Sequence, residues 1–282
     1  VNTEKEFTNQ NEDENLEDSN GRAVWALGFL ISLKNVLPAT LIQKAETILN
    51  TVIPQLHTIH STRAMAFIIK GLHYQNDEAH KYLLVTFADR LVQMYRHESV
   101  NNWFWFEHYM TYGNSVLSEA MLCAYSSTQD ETYLKVAKES FNFLLSKIFR
   151  GNQLNVISNK GWYIKDQKNE HEIGGEQPID VAYTVVALER FYRQFHLPEY
   201  KEKAIIAFNW FLGENHLNQI VYNPCTGGCY DGVEEFNVNL NQGAESTVSY
   251  LMARLSIERV IGLDFDFPDA SGEMISSTQP TK

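Results

Sequence analysis

The chain has few cysteines, no long apolar run and no cluster of basic residues, and each lack removes a class of function. Three Cys in 282 residues, Cys123, Cys225 and Cys229, are too few and odd in number for a disulfide framework. Cys123 falls in an apolar helix and reads as core. Cys225 and Cys229 (NPCTGGC) read first as plain thiols, since no further Cys completes a zinc set. No stretch approaches the ~18 apolar residues that span a bilayer, and no basic region precedes an apolar core at the N-terminus. That predicts a cytoplasmic protein with no membrane span. The chain begins without Met and reads as a fragment or processed form. Its 35 acidic residues outnumber 23 basic ones, for a net charge of −12. Nucleic acid and anionic lipid need clustered Lys and Arg, so neither is an expected partner. A neutral ligand fits better. HExxH, a Ser-centred nucleophile elbow and a phosphate loop are all missing from the sequence. No metal or other cofactor is expected.

What the chain does have is helix, of two kinds. Five segments open on polar clusters and then turn almost wholly apolar: 17–33, 60–74, 112–125, 174–192 and 241–257. Between them lie amphipathic helices at 38–53, 77–95, 130–149 and 199–213, with apolar stripes such as Leu84, Phe87, Leu91 and Met94. Pro38 and Pro198 sit at or just before helix starts, where a missing N–H costs little. No segment sustains strand-type alternation, although short strands fit within 152–165. The spacing between polar starts widens from 42 to 64 residues. A regular solenoid keeps a fixed unit, so the pattern predicts an all-α, (α/α) toroid of five to six hairpins over 17–263. Residues 1–16 read as a disordered acidic leader or linker, and 264–282 as a flexible tail.

Antiparallel neighbours would bring all five polar starts to one end. The long connections, 96–111, 150–173 and 214–240, return to that same end, and long loops in compact domains are usually functional. Six carboxyl groups there are catalytic candidates: Asp18, Glu107, Glu176, Asp180, Asp231 and Glu245. Glu107 follows WFWF, whose rings would desolvate it as a general acid, with Trp105 as a flat sugar platform. Glu176 and Asp180 stand four apart, so on one helix they would share a face. Asp231 and Glu245 flank a Gly- and Asn-rich loop, where turn chemistry explains Asp231 equally well. Candidate binding residues are Arg22, His60, Arg63, Tyr112, Asn114, Gln177, Tyr230, Asn241 and Gln242. His60, His108, His171 and His216 also fall near this face.

The runs EDSNGRAVWALG, WFEHYMTYGNSVLSEAML, GGEQPIDVAY and NPCTGGCYDG with NQGAEST resemble the six-hairpin, α/α-toroid superfamily of carbohydrate-active proteins. More narrowly they are similar to a bacterial family often labelled glycosyltransferase because the same module follows a glycosyltransferase domain. The resemblance covers residues 17–262. It implies a helical toroid in a carbohydrate context, with a sixth hairpin and an upstream transferase domain lying before Val1. Three functions fit these residues: a glycosidase-like enzyme using paired carboxyl groups on a neutral glycan; a non-catalytic glycan-binding or scaffold module serving the transferase; or a sugar epimerase using two facing histidines, His60 with His108 or His216.

Overall fold

The computed structural model of the protein describes residues 15–168 and 173–262. The expected leader through residue 14, the tail from 263 and His171 lie outside the described residues. Nine α-helices occur among those described: α1 Glu17–Ser32, α2 Ala39–Val52, α3 Thr62–Gln75, α4 Lys81–Glu98, α5 Ser115–Thr128, α6 Glu131–Ile148, α7 Pro178–Phe195, α8 Pro198–Asn209 and α9 Ala244–Ile261. The odd-numbered helices pack in sequence, α1 on α3, α3 on α5, α5 on α7 and α7 on α9, and each even-numbered helix covers the outside of its neighbours. The fold is an α/α toroid. None of the described helices is long and apolar enough to cross a membrane.

The two kinds of helix follow from burial. In the inner helices α3, α5 and α7 nearly every side chain is covered. A helix enclosed on all sides must be apolar all round. The outer α4 buries only a stripe, including Leu84, Phe87 and Leu91. One apolar core runs through the whole stack from Val24 to Val260. Its axis also carries ions. Lys70 Nζ lies 2.6 Å from Glu119 Oε2 and 3.6 Å from the centre of the Trp25 ring, while Arg190 Nε reaches Glu119 Oε1 at 3.3 Å.

Close approach fixes the first two inner helices. A Cβ at Gly28 would stand 2.0 Å from Gly71 O, and one at Gly21 would stand 2.8 Å from Ala64 O. The register is constant along this seam, so α1 and α3 run parallel and nearly touch backbone to backbone. At α9 the outward side is apolar instead, with Val248, Leu251 and Leu255 exposed.

Among the described residues, strand is confined to three two-stranded antiparallel ribbons inside the long connections. They are β1 (Tyr109–Met110) with β4 (Tyr163–Ile164), β2 (Phe149–Arg150) with β3 (Gln153–Leu154), and β5 (Gly232–Val233) with β6 (Val238–Asn239). Cys123, Cys225 and Cys229 are all free thiols.

Candidate functional site

The starts of the inner helices are tied to one another in a circle. Glu17 Oε2 accepts the backbone N–H groups of His60 (2.9 Å) and Ser61 (2.5 Å), joining α1 to the start of α3. Arg63 Nε donates to Tyr112 O at 2.6 Å, joining α3 to the loop before α5. Gly113 N–H donates to Asp180 Oδ1 at 2.6 Å, and Ser115 and Thr184 share a 2.9 Å hydroxyl bond, joining α5 to α7. Glu176 and Val233 exchange backbone bonds, joining the approach to α7 with the ribbon before α9. Arg22 Nη1 meets Glu245 Oε2 at 3.2 Å, linking α9 back to α1. All five polar starts therefore share one end of the toroid.

Within that circle lies a cleft of about 360 Å³ lined by Asp18, Ser19, Arg22, Tyr112, Gln177, Ile179 and Glu245. Such a volume is at the small end for ligand sites. Asp18 accepts from Ser61 Oγ at 2.6 Å and from the Tyr112 hydroxyl. Burial, followed by that bond to Asp18, pushes the Tyr112 hydroxyl up to about 12. Its ring also lies 4.9 Å from the Arg63 guanidinium. Glu245 is the most open of the charged lining groups, its side chain 61% exposed.

Asp180 sits in the first turn of α7, next to the lining residue Ile179. It is 7% exposed. Burial raises its carboxyl from 3.8 to about 7, against the Gly113 N–H bond and the attraction of Arg63; Glu245 pushes it further up and Arg22 down. It feels the charges of the cleft while being withheld from water.

Other expected site residues have different settings. Trp105 is fully buried, packed edge-on to Phe106 at 5.4 Å, with its indole N–H lacking a partner; it belongs to the core and cannot offer a face to a sugar. Glu107 is not a free acid in an apolar cage. Arg63 Nη1 holds both its oxygens, at 3.1 and 2.9 Å, and Thr62 Oγ1 donates at 2.7 Å. Glu176 and Asp180 do not share a face, because Gln177 is extended (φ −113°, ψ 139°) and α7 begins after it. The Glu176 carboxyl turns instead to Trp210 Nε1 at 2.6 Å and His216 Nδ1 at 3.5 Å. Burial raises its pKa, against both partners.

Asp231 caps the approach to α9 by accepting from Gly243 N at 2.8 Å, Ser246 Oγ at 2.7 Å and Asn241. Burial works against it, but the bonds from Ser246, Asn241 and Gly243 hold it below the usual carboxylate range. The turn role is the one realised. Asn114 closes a turn on Thr111, and Arg63 has its guanidinium engaged by Glu107, Thr111 and Tyr112. His60 is exposed and joins Glu17 through its backbone. Tyr230 bonds Asn223, Gln242 bonds Thr226 and Asn241 bonds Asp231, all within the 223–242 loop region. Of the histidines expected to face one another, His108 lies 3.9 Å from Glu98 and His216 beside Glu176.

Three residues at the cleft escaped the sequence reading. Glu17 and Ser61 hold Asp18 and the α3 start in place, and their signal is only the ordinary capping pattern of a polar residue before an apolar helix. Ser19 lines the cleft with nothing in its sequence context to distinguish it.

No protein-family model matches the sequence, and no curated protein does. Several solved structures share the fold, three of them as follows. The D-mannose isomerase crystal structure is 14% identical with a TM-score of 0.57, covering 85% of this chain and 70% of that one. A GH76 alpha-mannanase of Bacteroides thetaiotaomicron is 14% identical with a TM-score of 0.56, covering 88% and 71%. An unsaturated glucuronyl hydrolase specific for heparin is 11% identical with a TM-score of 0.53, covering 87% of both chains. At this identity the likeness establishes the α/α-toroid architecture of the chain.

Proposed function

We propose that this chain is a carbohydrate-active enzyme that hydrolyses a neutral glycan by acid–base chemistry at the Asp18–Arg22–Glu245 cleft. The observation that carries the reading is Asp180: a buried carboxyl, raised to about 7, beside a cleft lined by ionisable partners. A carboxylic acid that still holds its proton near neutral pH is the group that protonates a departing glycosidic oxygen. Glu245 is the second carboxyl. It is open to solvent and held by one arginine, as a base that draws a proton from attacking water must be. Water then adds to the anomeric carbon as the bond to the leaving oxygen breaks. Asp18, with two hydroxyl donors, and Gln177 supply positions for sugar hydroxyls. The three fold relatives named above are an isomerase, a mannanase and a glucuronyl hydrolase, which supports a sugar as ligand. Epimerisation by paired histidines is disfavoured, since His108 and His216 are engaged elsewhere and none lines the cleft.

A second reading has its own support. The cleft charges are already paired, Arg22 with Glu245 and Asp18 with Ser61 and Tyr112. A binding module serving a neighbouring glycosyltransferase would look the same. A panel of neutral glycans and glycosides, read for both binding and product release, separates the two. Product release that falls by roughly 10²-fold or more in Asp180→Asn, with binding kept, supports the enzyme. Binding without release in the native chain supports the module. Turnover at the native rate in Asp180→Asn removes Asp180 from the mechanism.

A further inference from the structure

Trp105, the expected sugar platform, is buried, but two exposed aromatic rings adjoin each other beyond the WFWF run. Tyr109 is 37% and Trp162 55% exposed. Their ring centres are 5.4 Å apart with planes inclined by 32°. Single exposed aromatics need no explanation, but two adjoining ones leave a continuous apolar surface in water.

The pair is held in place by a ribbon. Tyr109 opposes Ile164 and Met110 opposes Tyr163 in the β1–β4 ribbon, which places Trp162 diagonally across from Tyr109, within aromatic reach. The ribbon is extended by Lys165 N–H donating to His108 O at 2.9 Å. The Lys165 side chain, 8% exposed, anchors it below through Glu98 at 3.0 Å. A preformed surface of this kind loses little freedom when a ligand settles on it.

Two separate stretches of chain connect the platform to the cleft. Tyr109 is three residues before Tyr112, a lining residue, so their Cα atoms are at most about 11 Å apart. Trp162 is three residues after Asn159, whose N–H donates to Gly175 O at 2.9 Å, and Gly175 is two residues before the lining Gln177. The aromatic pair is thus attached to both the Tyr112 side and the Gln177 side of the same opening. A pyranose offers an apolar face of C–H bonds that suits a flat ring, and hydroxyls around its edge that suit the polar cleft.

We propose that Tyr109 and Trp162 form an outlying sugar subsite, so that the ligand is an oligosaccharide with one part in the cleft and a further unit on this aromatic pair. The inference rests on the glycan reading of the cleft and adds to it the length of the substrate. The neutral-glycan array used above selects a sugar series. Calorimetry then follows affinity from the monosaccharide to the hexasaccharide for the native chain, Trp162→Ala and Trp162→Phe. Native affinity is expected to rise with length. Trp162→Ala should lose roughly five- to tenfold on the long members, the scale of one stacked aromatic contact, and nothing on the shortest. Trp162→Phe should restore most of the loss. Because Trp162 is exposed, unchanged circular dichroism and an unchanged short-glycan affinity certify the fold. A length gain that survives in Trp162→Ala, or affinity that does not grow with length, overturns the subsite while leaving the cleft reading intact. If no glycan binds, the cleft reading fails and takes this inference with it.

Discussion

Two Arg–Glu pairs stand at the same end of this toroid and do opposite things. Arg63 and Glu107 meet at 2.9 Å with side chains 7% and 9% exposed, and Arg22 and Glu245 meet at 3.2 Å with 31% and 61% exposed. The buried pair is saturated. Thr62 completes Glu107, and Thr111 and Tyr112 complete Arg63. Its charges cannot leave one another without facing a medium that solvates them poorly. The open pair has water as an alternative partner, so either member can be taken over by a ligand at small cost. Position at the site end is therefore no guide to chemistry. What separates a clamp from a reactive group is whether the surroundings leave it another partner.

The most severe way to break this contrast is to remove one member of the buried pair. Glu107→Ala should cost about 3–5 kcal/mol, the usual penalty for stranding a buried charge. Urea unfolding measures it, and a loss below about 1 kcal/mol would mean that the pair is no clamp.

The next test uses Asp180, which senses Arg63 from one pair and both members of the other. Its carboxyl is raised in the folded state from 3.8 to about 7. The folded chain thus binds more protons than the unfolded one between those values, and stability must fall as pH rises through that window. For this group alone the fall is on the order of 4 kcal/mol. Asp180→Asn should flatten the unfolding free energy between about pH 4 and pH 7, and an unchanged slope would show that the carboxyl is not shifted. Because Glu245 contributes to the rise, Glu245→Gln should lower the apparent pKa of Asp180, read by carboxyl NMR.

The smallest effect sharpens the comparison from the open side. Glu245→Gln should change stability by no more than about 1 kcal/mol, and that little should vanish in high salt. A loss comparable to that of Glu107→Ala would make the two pairs equivalent.

The sequence disclosed the fold far better than the site. Each expected helix lies within a few residues of an observed one, because all-round apolar and one-faced patterns are local properties of the chain. The ribbons were mostly hidden, since two-residue strands are too short to alternate. In the WFWF run, the depth of each ring is set by which neighbours it meets: Trp103, Trp105 and Phe106 are buried while Phe104 is 39% exposed. No local pattern gives that order. The clamp on Glu107 was hidden for a related reason. Its partner Arg63 is 44 residues away, and a salt bridge has no periodicity. The Glu176–Asp180 spacing implied a shared face only if both were helical, and an extended Gln177 undid it. That Asp18, Arg22 and Glu245 would lie at one opening was legible, because a charged residue in the first two turns of an inner helix has few places to go except the open end of the ring.

The glycine seam between α1 and α3 has a mechanical consequence. With Gly28 and Gly71 in backbone contact, the first two inner helices have no side-chain cushion to deform, and sliding one along the other would drive main chain into main chain. They behave as a single stiff wall. On the other flank of α1, Glu245 reaches it through a partly hydrated ion pair that can lengthen or part without a steric penalty. The two flanks of α1 therefore differ in what they permit: on the α3 side main chain blocks any sliding, while on the α9 side the Arg22–Glu245 contact can lengthen without a main-chain collision.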